Sequence, residues 1–213
     1  MERSTKDIIL DVAIELFAEK GYSRVSIREI AKAVGIKGSS IYNHFRSKED
    51  IMDTMLTIYK VESDKYFGGF YMDMNMDSLI ESVPLEEMLK KSLMLSVGFM
   101  GVPKVNRIFK ILTSELSYSS RFREFFLNEF IVVPREILTE IFRKLVERGK
   151  IRAEEPELLA TEFYSFVIYK FYEDYILRGE TNIDFDKMKS EFTRHIRFFT
   201  RTIVSSGAAA ETE

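Results

Sequence analysis

Apolar side chains recur every three to four residues along most of the chain, and this spacing is typical of one face of an α-helix. In the first such stretch they are Ile8, Ile9, Val12, Ala13, Leu16 and Phe17. Later stretches predict helices at about 84–98, 103–117, 122–148, 156–178 and 185–205. Strand-type alternation is scarce and the chain has only four prolines, so we predict an all-α protein.

Capping signals divide the N-terminal region into short helices. Ser4 with Asp7, Ser26 with Glu29 and Ser47 with Asp50 have the spacing of capping boxes. Gly21 and Gly35 can adopt the left-handed conformation that ends a helix. These signals predict two helices, a third at about 37–44, and then a long helix that begins near Ser47. The segment from Phe67 to Ser78, with two glycines and a run of methionines and aspartates, predicts a break or a mobile loop.

Residues 27–46 have the pattern of a helix-turn-helix. Ala31 supplies the small residue that the second helix crosses, Gly35 suits the turn, and Ile41 supplies an inward apolar side chain. A purely structural helical hairpin is the alternative, since many such hairpins also contain alanine and glycine.

The charge distribution favours nucleic acid at this motif. The whole chain of 213 residues has a formal net charge of −3, which argues against a basic footprint. Between Arg24 and Lys48, however, six basic residues stand against Glu29 alone. The exposed face of the third helix offers short donors, a histidine and an aromatic hydroxyl that could reach base edges and phosphates, namely Gly38, Ser39, Ser40, Tyr42, Asn43 and His44. His44 could instead cap a helix or lie in the core, and Tyr42 could simply pack.

The same residues resemble a known family. The matching runs are Ser26-Ile27-Arg28-Glu29-Ile30-Ala31, Val34-Gly35-Ile36-Lys37-Gly38-Ser39-Ser40-Ile41-Tyr42-Asn43-His44-Phe45 and Lys48-Glu49. Together with Phe17 to Tyr22 at the end of the first helix, they resemble the tetracycline-repressor (TetR) family over roughly residues 5–52. The resemblance implies an Ω-shaped homodimer, usually a repressor that a ligand releases from a palindromic operator. It also implies DNA contacts from Ser26, Arg28, Lys37 to Ser40, Tyr42, Asn43, His44 and Lys48.

The remainder of the chain suggests a dimer and a ligand pocket. The helix at 156–178 is apolar nearly all round and the one at 185–205 has an apolar stripe, which predicts a four-helix bundle between two copies. A monomer with a thick core is the alternative. Candidate pocket residues are Phe99, Met100, Phe109, Leu112, Glu115, Phe122, Phe125, Phe126, Glu129, Phe130 and Phe166. Their composition favours a lipophilic or aromatic ligand, although aromatic residues at helical spacing are often core and the two glutamates could lie on a solvated face.

Other functional classes receive little support. The chain has no cysteine and only two histidines, His44 and His195, each without a nearby second metal ligand. No nucleophile elbow or phosphate loop is present, so we expect no cofactor, no metal and no enzyme activity. An architectural DNA-binding protein without an effector, or an all-α enzyme, are the alternatives. With no targeting segment and no apolar run of about 20 residues, we expect a cytoplasmic protein without membrane contact.

We therefore predict three segments. Residues 1–48 form the DNA-binding domain with its motif at 26–45, residues 49–205 form the ligand-binding and dimerisation domain, and residues 206–213 form a flexible tail.

Overall fold

The computed structural model describes residues 3–71, 76–152, 155–179 and 184–204. Within them the chain is helical throughout, apart from turns and one isolated bridge between Ile151 and Val204. The helices are α1 (Thr5–Lys20), α2 (Ile27–Val34), α3 (Gly38–Ile41), α4 (Lys48–Tyr71), α5 (Met76–Ser82), α6 (Leu85–Met100), α7 (Pro103–Glu115), α8 (Ser120–Leu127), α9 (Val133–Glu147), α10 (Pro156–Phe171) and α11 (Phe185–Ile203). Two π-helical segments, Asn128–Val132 and Tyr172–Leu177, follow α8 and α10. The prediction of an all-α fold is confirmed.

The predicted caps hold the first two helices. The Ser4 side chain accepts a hydrogen bond from the backbone N–H of Asp7, and Ser26 forms a complete capping box with Glu29. Gly35 adopts the left-handed conformation with φ of 79°. A side chain there would be strained, so the sequence ends α2 at the position that the turn requires.

The predicted break between Phe67 and Ser78 differs from the structure. Helix α4 continues to Tyr71 and α5 begins at Met76, so both enter the predicted loop, while residues 72–75 lie outside the described residues. The rings of Tyr66 and Phe67 pack on Phe99, and this contact offsets the low helix propensity of the two glycines that follow.

The long helix predicted at 122–148 is interrupted by a π-helical segment directly before α9. Pro134 lies in the first turn of α9, and proline cannot donate the backbone hydrogen bond of a regular helix. The wider π turn accommodates this missing donor.

The chain forms two compact units, each built from two separate stretches of sequence, and the functional domains predicted at 1–48 and 49–205 stay a prediction. Unit 1 is Met1–Gly68 with Phe99–Glu124, and unit 2 is Gly69–Gly98 with Phe125–Glu213. Helix α7 belongs to unit 1 because it packs on α1, with an ion pair of 2.8 Å between Lys104 and Asp11. The helices of the predicted helix-turn-helix therefore share a compact unit with a later part of the chain.

Unit 2 has a core of its own, built from α5, α6, α9, α10 and α11. Leu89, Phe142 and Phe163 are fully buried there. The predicted apolar stripe of the last helix faces this core through Phe192, Ile196, Phe199 and Ile203. None of the helices in the described ranges is long and apolar enough to cross a membrane.

Candidate nucleic-acid interface

The inner side of the helix-turn-helix is an apolar contact between α2 and α3. Ile30, Ala31 and Ile41 are buried, as is Phe45 directly after the last turn. Backbone hydrogen bonds close the turn, with the N–H of Ile36 donating to the carbonyl of Ala31 at 3.0 Å. Because these contacts fix α3 against α2, the opposite side of α3 has a defined orientation.

That opposite side presents the predicted DNA-contacting residues. Arg28, Lys37, Ser39, Tyr42 and Asn43 are exposed, and Gly38, Ser40 and His44 are half-buried. Tyr42 has 57% of its surface exposed, although Ile41 beside it is completely buried. An exposed tyrosine next to a buried anchor is available to a partner and does not pack in the core. The structure thus places residues 37–44 on α3 or directly beside it, and Arg28 on α2.

Helix α3 is shorter than predicted, and its last residues form a tighter turn. The regular helix covers Gly38–Ile41, after which Asn43 and His44 donate to the carbonyls of Ser40 and Ile41, three residues earlier. This tightening keeps Tyr42, Asn43 and His44 in a helical path.

Ser26 is already engaged within the protein. Its hydroxyl donates to the Glu29 carboxylate at 2.9 Å and accepts from the Glu29 backbone N–H, and its own N–H donates to the same carboxylate at 2.8 Å. The backbone and side-chain hydrogen bonds from Ser26 lower the pKa of Glu29. Ser26 therefore sets the start of α2, and a DNA contact from it stays a prediction.

Lys48 lies at the start of α4, against aromatic rings. Its Nζ is 4.2 Å from the centroid of the Tyr22 ring and 5.9 Å from that of Phe17. Burial lowers the pKa of Lys48. Burial, with the nearby carboxylates of Glu49 and Asp53, raises the pKa of Tyr22 to about 12, so the phenol stays neutral. A half-buried ammonium held this way can still reach a phosphate, and that role also stays a prediction.

The sequence analysis missed the polar support behind the motif. Glu115, 5% exposed at the end of α7, accepts hydrogen bonds from the backbone N–H of Ser23 at 3.2 Å and from its hydroxyl at 2.7 Å. Ser23 lies in the connection between α1 and α2. Glu115 was assigned to a ligand pocket, but both of its oxygens hold this connection in place. An acidic residue among apolar ones indicated that Glu115 has a specific role, but only the folded structure identifies Ser23 as its partner.

The other candidate pocket residues divide between the two units. In unit 1, Phe99, Phe109, Leu112 and Phe122 are buried and Met100 is half-buried. In unit 2, the half-buried residues are Phe125, Phe126, Glu129, Phe130 and Phe166. Phe126 stacks on Phe130 with ring centroids 4.7 Å apart, and Phe166 stacks on His195 at 4.3 Å. Whether any of them contacts a ligand stays a prediction.

Comparison with known families decides the classification. The family model for bacterial regulatory proteins of the TetR family matches residues 9–55. The model for the C-terminal domain of AefR-like transcriptional repressors matches residues 87–202, which is more than half of the chain. The chain belongs to the TetR family. The resemblance of the helix-turn-helix is thereby confirmed and extends into the second half of the protein.

Individual TetR-family proteins are similar to different extents. The HTH-type transcriptional repressor KstR2 of Rhodococcus jostii is 28% identical over 156 residues, which cover 73% of this chain and 72% of KstR2. IcaR, a negative regulator of the biofilm operon icaADBC in Staphylococcus aureus, is 52% identical over 48 residues, but this match covers only 22% of this chain and 26% of IcaR.

Solved structures show the same fold at low sequence identity. A TetR-family regulator from Mesorhizobium loti superimposes with a TM-score of 0.70 at 16% identity, covering 94% of this chain and 97% of that one. The fatty acid degradation regulator FadR from Bacillus halodurans gives a TM-score of 0.62 at 18% identity, covering 92% and 96%. The N-terminal helix-turn-helix followed by a helical C-terminal region is therefore an architecture that this chain shares with TetR-family regulators.

Proposed function

We propose that this TetR-family protein is a transcriptional repressor that binds a palindromic operator as a homodimer and leaves it when a small ligand binds. The observation that carries the proposal is the exposed, basic and polar surface of α2 and α3, with Tyr42 and Asn43 placed outward on a buried apolar anchor. Basic groups supply affinity for phosphates, and short polar side chains can discriminate base edges in the major groove.

Homodimerisation is supported by an apolar surface on unit 2. Leu158, Tyr169 and Tyr172 are exposed at the spacing of one face of α10 and the segment after it, and Phe198 on α11 is 71% exposed. Large exposed apolar groups on adjacent helices are typical of interfaces. Two copies related by a two-fold axis would bury them in a four-helix bundle and present two α3 helices to the two halves of a palindrome.

Release by a ligand would follow from a population shift. A ligand that binds better to a conformation in which the two α3 helices no longer match successive major grooves lowers the fraction of protein able to bind DNA. The structural neighbours include a regulator of fatty acid degradation and the ketosteroid regulator KstR2 of Mycobacterium tuberculosis. These names support the expectation of a lipophilic ligand here.

The test begins with genomic fragments from the organism that encodes this chain, enriched for binding to the purified protein. Fluorescence anisotropy then compares the enriched duplex with a scrambled duplex at one fixed salt concentration, because phosphate contacts make affinity depend on salt. We expect at least a hundredfold preference for the enriched duplex.

Tyr42→Ala should reduce that preference by about tenfold, the loss of one base-reading contact. The matched control is Tyr118→Ala, which removes a tyrosine that is 82% exposed and lies outside the helix-turn-helix. Equal affinity for both duplexes would contradict the repressor and favour an architectural DNA-binding protein instead.

A further inference from the structure

The ammonium group of Lys48 lies over the face of an aromatic ring in unit 1. Its Nζ is 4.2 Å from the centroid of the Tyr22 ring, which is within the range of a cation–π contact. Lys48 is the first residue of α4, and Tyr22 lies in the connection between α1 and α2. The contact therefore joins the segment that precedes the helix-turn-helix to the helix that follows it.

Two buried phenylalanines fix the orientation of the Tyr22 ring. Phe17 of α1 makes a T-shaped contact with it at a centroid distance of 5.0 Å, and Phe122 of α8 makes another at 5.5 Å. Both phenylalanines are at most 1% exposed, so a shift of either would disturb the packing of the core. The next residue, Ser23, is held by both carboxylate oxygens of Glu115. The ring is therefore a rigid support for the lysine.

This support leaves the positive charge of Lys48 available to a partner. Within the described part of the chain, no acidic side chain forms an ion pair with it, although the carboxylates of Glu29, Glu49 and Glu115 act on it electrostatically. The ring attracts an ammonium through its quadrupole and carries no net charge that would compete with a phosphate. Because an ammonium has three N–H donors, the side turned away from the ring can still donate to an anion.

We propose that Tyr22 is a positioning residue for DNA binding, whose ring holds the ammonium of Lys48 ready for a phosphate of the operator. This inference rests on the proposed function, because it assigns a role within the same interface. A lysine loses much rotational freedom when its ammonium is fixed, and holding it in place before binding lowers that cost. In the complex the ammonium lies between the ring and the phosphate. Tyr22 itself contacts no DNA, so its contribution depends entirely on Lys48.

Nuclear magnetic resonance without DNA tests the contact itself. Lysines of the full chain are methylated reductively with ¹³C-formaldehyde, which keeps their charge, and the Lys48 methyl signal is assigned by its absence from Lys48→Met. Protons over the face of an aromatic ring resonate upfield, so this signal should lie upfield of those of exposed lysines. Tyr22→Leu should remove the upfield shift, and Tyr22→Phe should keep it. A Lys48 signal without an upfield shift in the parent protein would overturn the proposal.

A double-mutant cycle measures the role in DNA binding, with fluorescence anisotropy on the enriched duplex. Lys48→Met should weaken binding and reduce by about one the slope of log affinity against log salt concentration, the sign of one lost phosphate contact. Tyr22→Leu should weaken binding roughly two- to fivefold, but should have no further effect in a protein that already carries Lys48→Met. Tyr22→Phe keeps the ring and should recover most of the lost affinity.

A merely structural role for Tyr22 predicts a different result, because Tyr22→Leu would then cost the same affinity with and without Lys48→Met. Circular dichroism confirms that the variants are folded, and the matched control is Tyr118→Leu, which removes a tyrosine that is 82% exposed. Equal losses in the two backgrounds, no loss with Tyr22→Leu, or a salt slope unchanged by Lys48→Met would overturn the proposal. A protein that prefers no duplex overturns the proposed function and this role with it, whereas the upfield Lys48 signal then stands as a contact within the protein alone.

Discussion

Two exposed surfaces of this chain differ sharply in chemistry. The surface of α2 and α3 exposes Arg28, Lys37, Tyr42 and Asn43, while that of α10 and α11 exposes large apolar groups such as Tyr169 and Phe198. The first suits a hydrated, negatively charged partner and the second suits an apolar surface like itself. A net charge of −3 conceals this division, because every acid except Glu29 lies outside residues 24–48.

The supports beneath these surfaces differ as well. In unit 1, the carboxylate of Glu115 holds the connection between α1 and α2 through Ser23. In unit 2, the charge is reversed: Lys170, 7% exposed, lies among Glu173, Asp174 and Glu191. Although burial alone would lower it, the hydrogen bonds from Lys170 to Glu173 and Glu191 raise the pKa of this lysine above its usual value. In unit 1 the buried charge therefore holds the connection between α1 and α2, and in unit 2 it joins α10 to α11.

The largest expected effect comes from making the apolar surface charged. Tyr169→Asp combined with Phe198→Asp should convert a dimer to a monomer, since each copy would place buried carboxylates in the interface. Losing two-site attachment should weaken operator binding by roughly a hundredfold or more. Sedimentation velocity and anisotropy measure both effects. Tyr118→Asp is the control, and a double variant that stays dimeric would show that the copies associate elsewhere.

Replacing the buried lysine should have the next largest effect. Lys170→Met leaves three carboxylates without their shared cation, and we expect a loss of about 3 kcal/mol in the free energy of unfolding. Urea denaturation followed by circular dichroism measures it, and the control is Lys110→Met, which removes an exposed lysine of α7. If the two variants unfold at the same urea concentration, the cluster does not join α10 to α11 energetically.

Removing the carboxylate behind the helix-turn-helix should have a smaller effect. Glu115→Ala deprives the Ser23 N–H and hydroxyl of their acceptor, and should lower stability by about 2 kcal/mol. Glu115→Gln keeps one acceptor and should lose less. Operator affinity measured below the unfolding range should also fall for Glu115→Ala, because the connection that positions α2 is released. An unchanged affinity would limit Glu115 to a role in stability.

The smallest expected effect concerns pH. His195 donates from Nε2 to the carbonyl of Phe163 at 3.0 Å and stacks on Phe166, and burial lowers its pKa below the ordinary value of 6.5. The stability contributed by the neutral ring is therefore complete above 6.5 and is lost as the pH falls through the lowered pKa of the folded state. Thermal midpoints should decline more on acidification for the parent protein than for His195→Gln. Parallel declines would mean that another group controls the acid limit.

The sequence predicted the helix-turn-helix well because its determinants are local. The Ser26 and Glu29 capping box, the left-handed Gly35 and the buried Ala31 all act within a few residues of each other. The dependence of this motif on Glu115 was not predictable, since 92 residues separate that side chain from Ser23. The extension of α4 was missed for a similar reason, because the ring contacts of Tyr66 and Phe67 with Phe99 outweigh the local preference of glycine for a break. Helix α5 was missed because its contacts are with the distant α9, including the ion pair of Asp77 with Lys144 at 2.8 Å.

Pocket residues were the least predictable part of the molecule. Aromatic residues at helical spacing indicate burial, but they do not distinguish a core from a cavity. Phe109 and Phe122, for example, are fully packed in unit 1. A cavity of about 520 Å³ beside α5 and α6 is instead lined by residues outside the predicted set, and only folding places Lys189 beside residues about 100 positions earlier in the chain.

The most direct test of the account is the number of chains in the complex with the enriched duplex. Sedimentation equilibrium gives the mass of that complex, and the chain mass of 24.9 kDa converts it to a stoichiometry. If α2 and α3 bind DNA while α10 and α11 bind a second copy of the chain, the complex should contain an even number of chains. A duplex that carries only half of the palindrome should then bind far more weakly. A complex with one chain that binds the half-palindrome as tightly as the whole would contradict the homodimeric repressor.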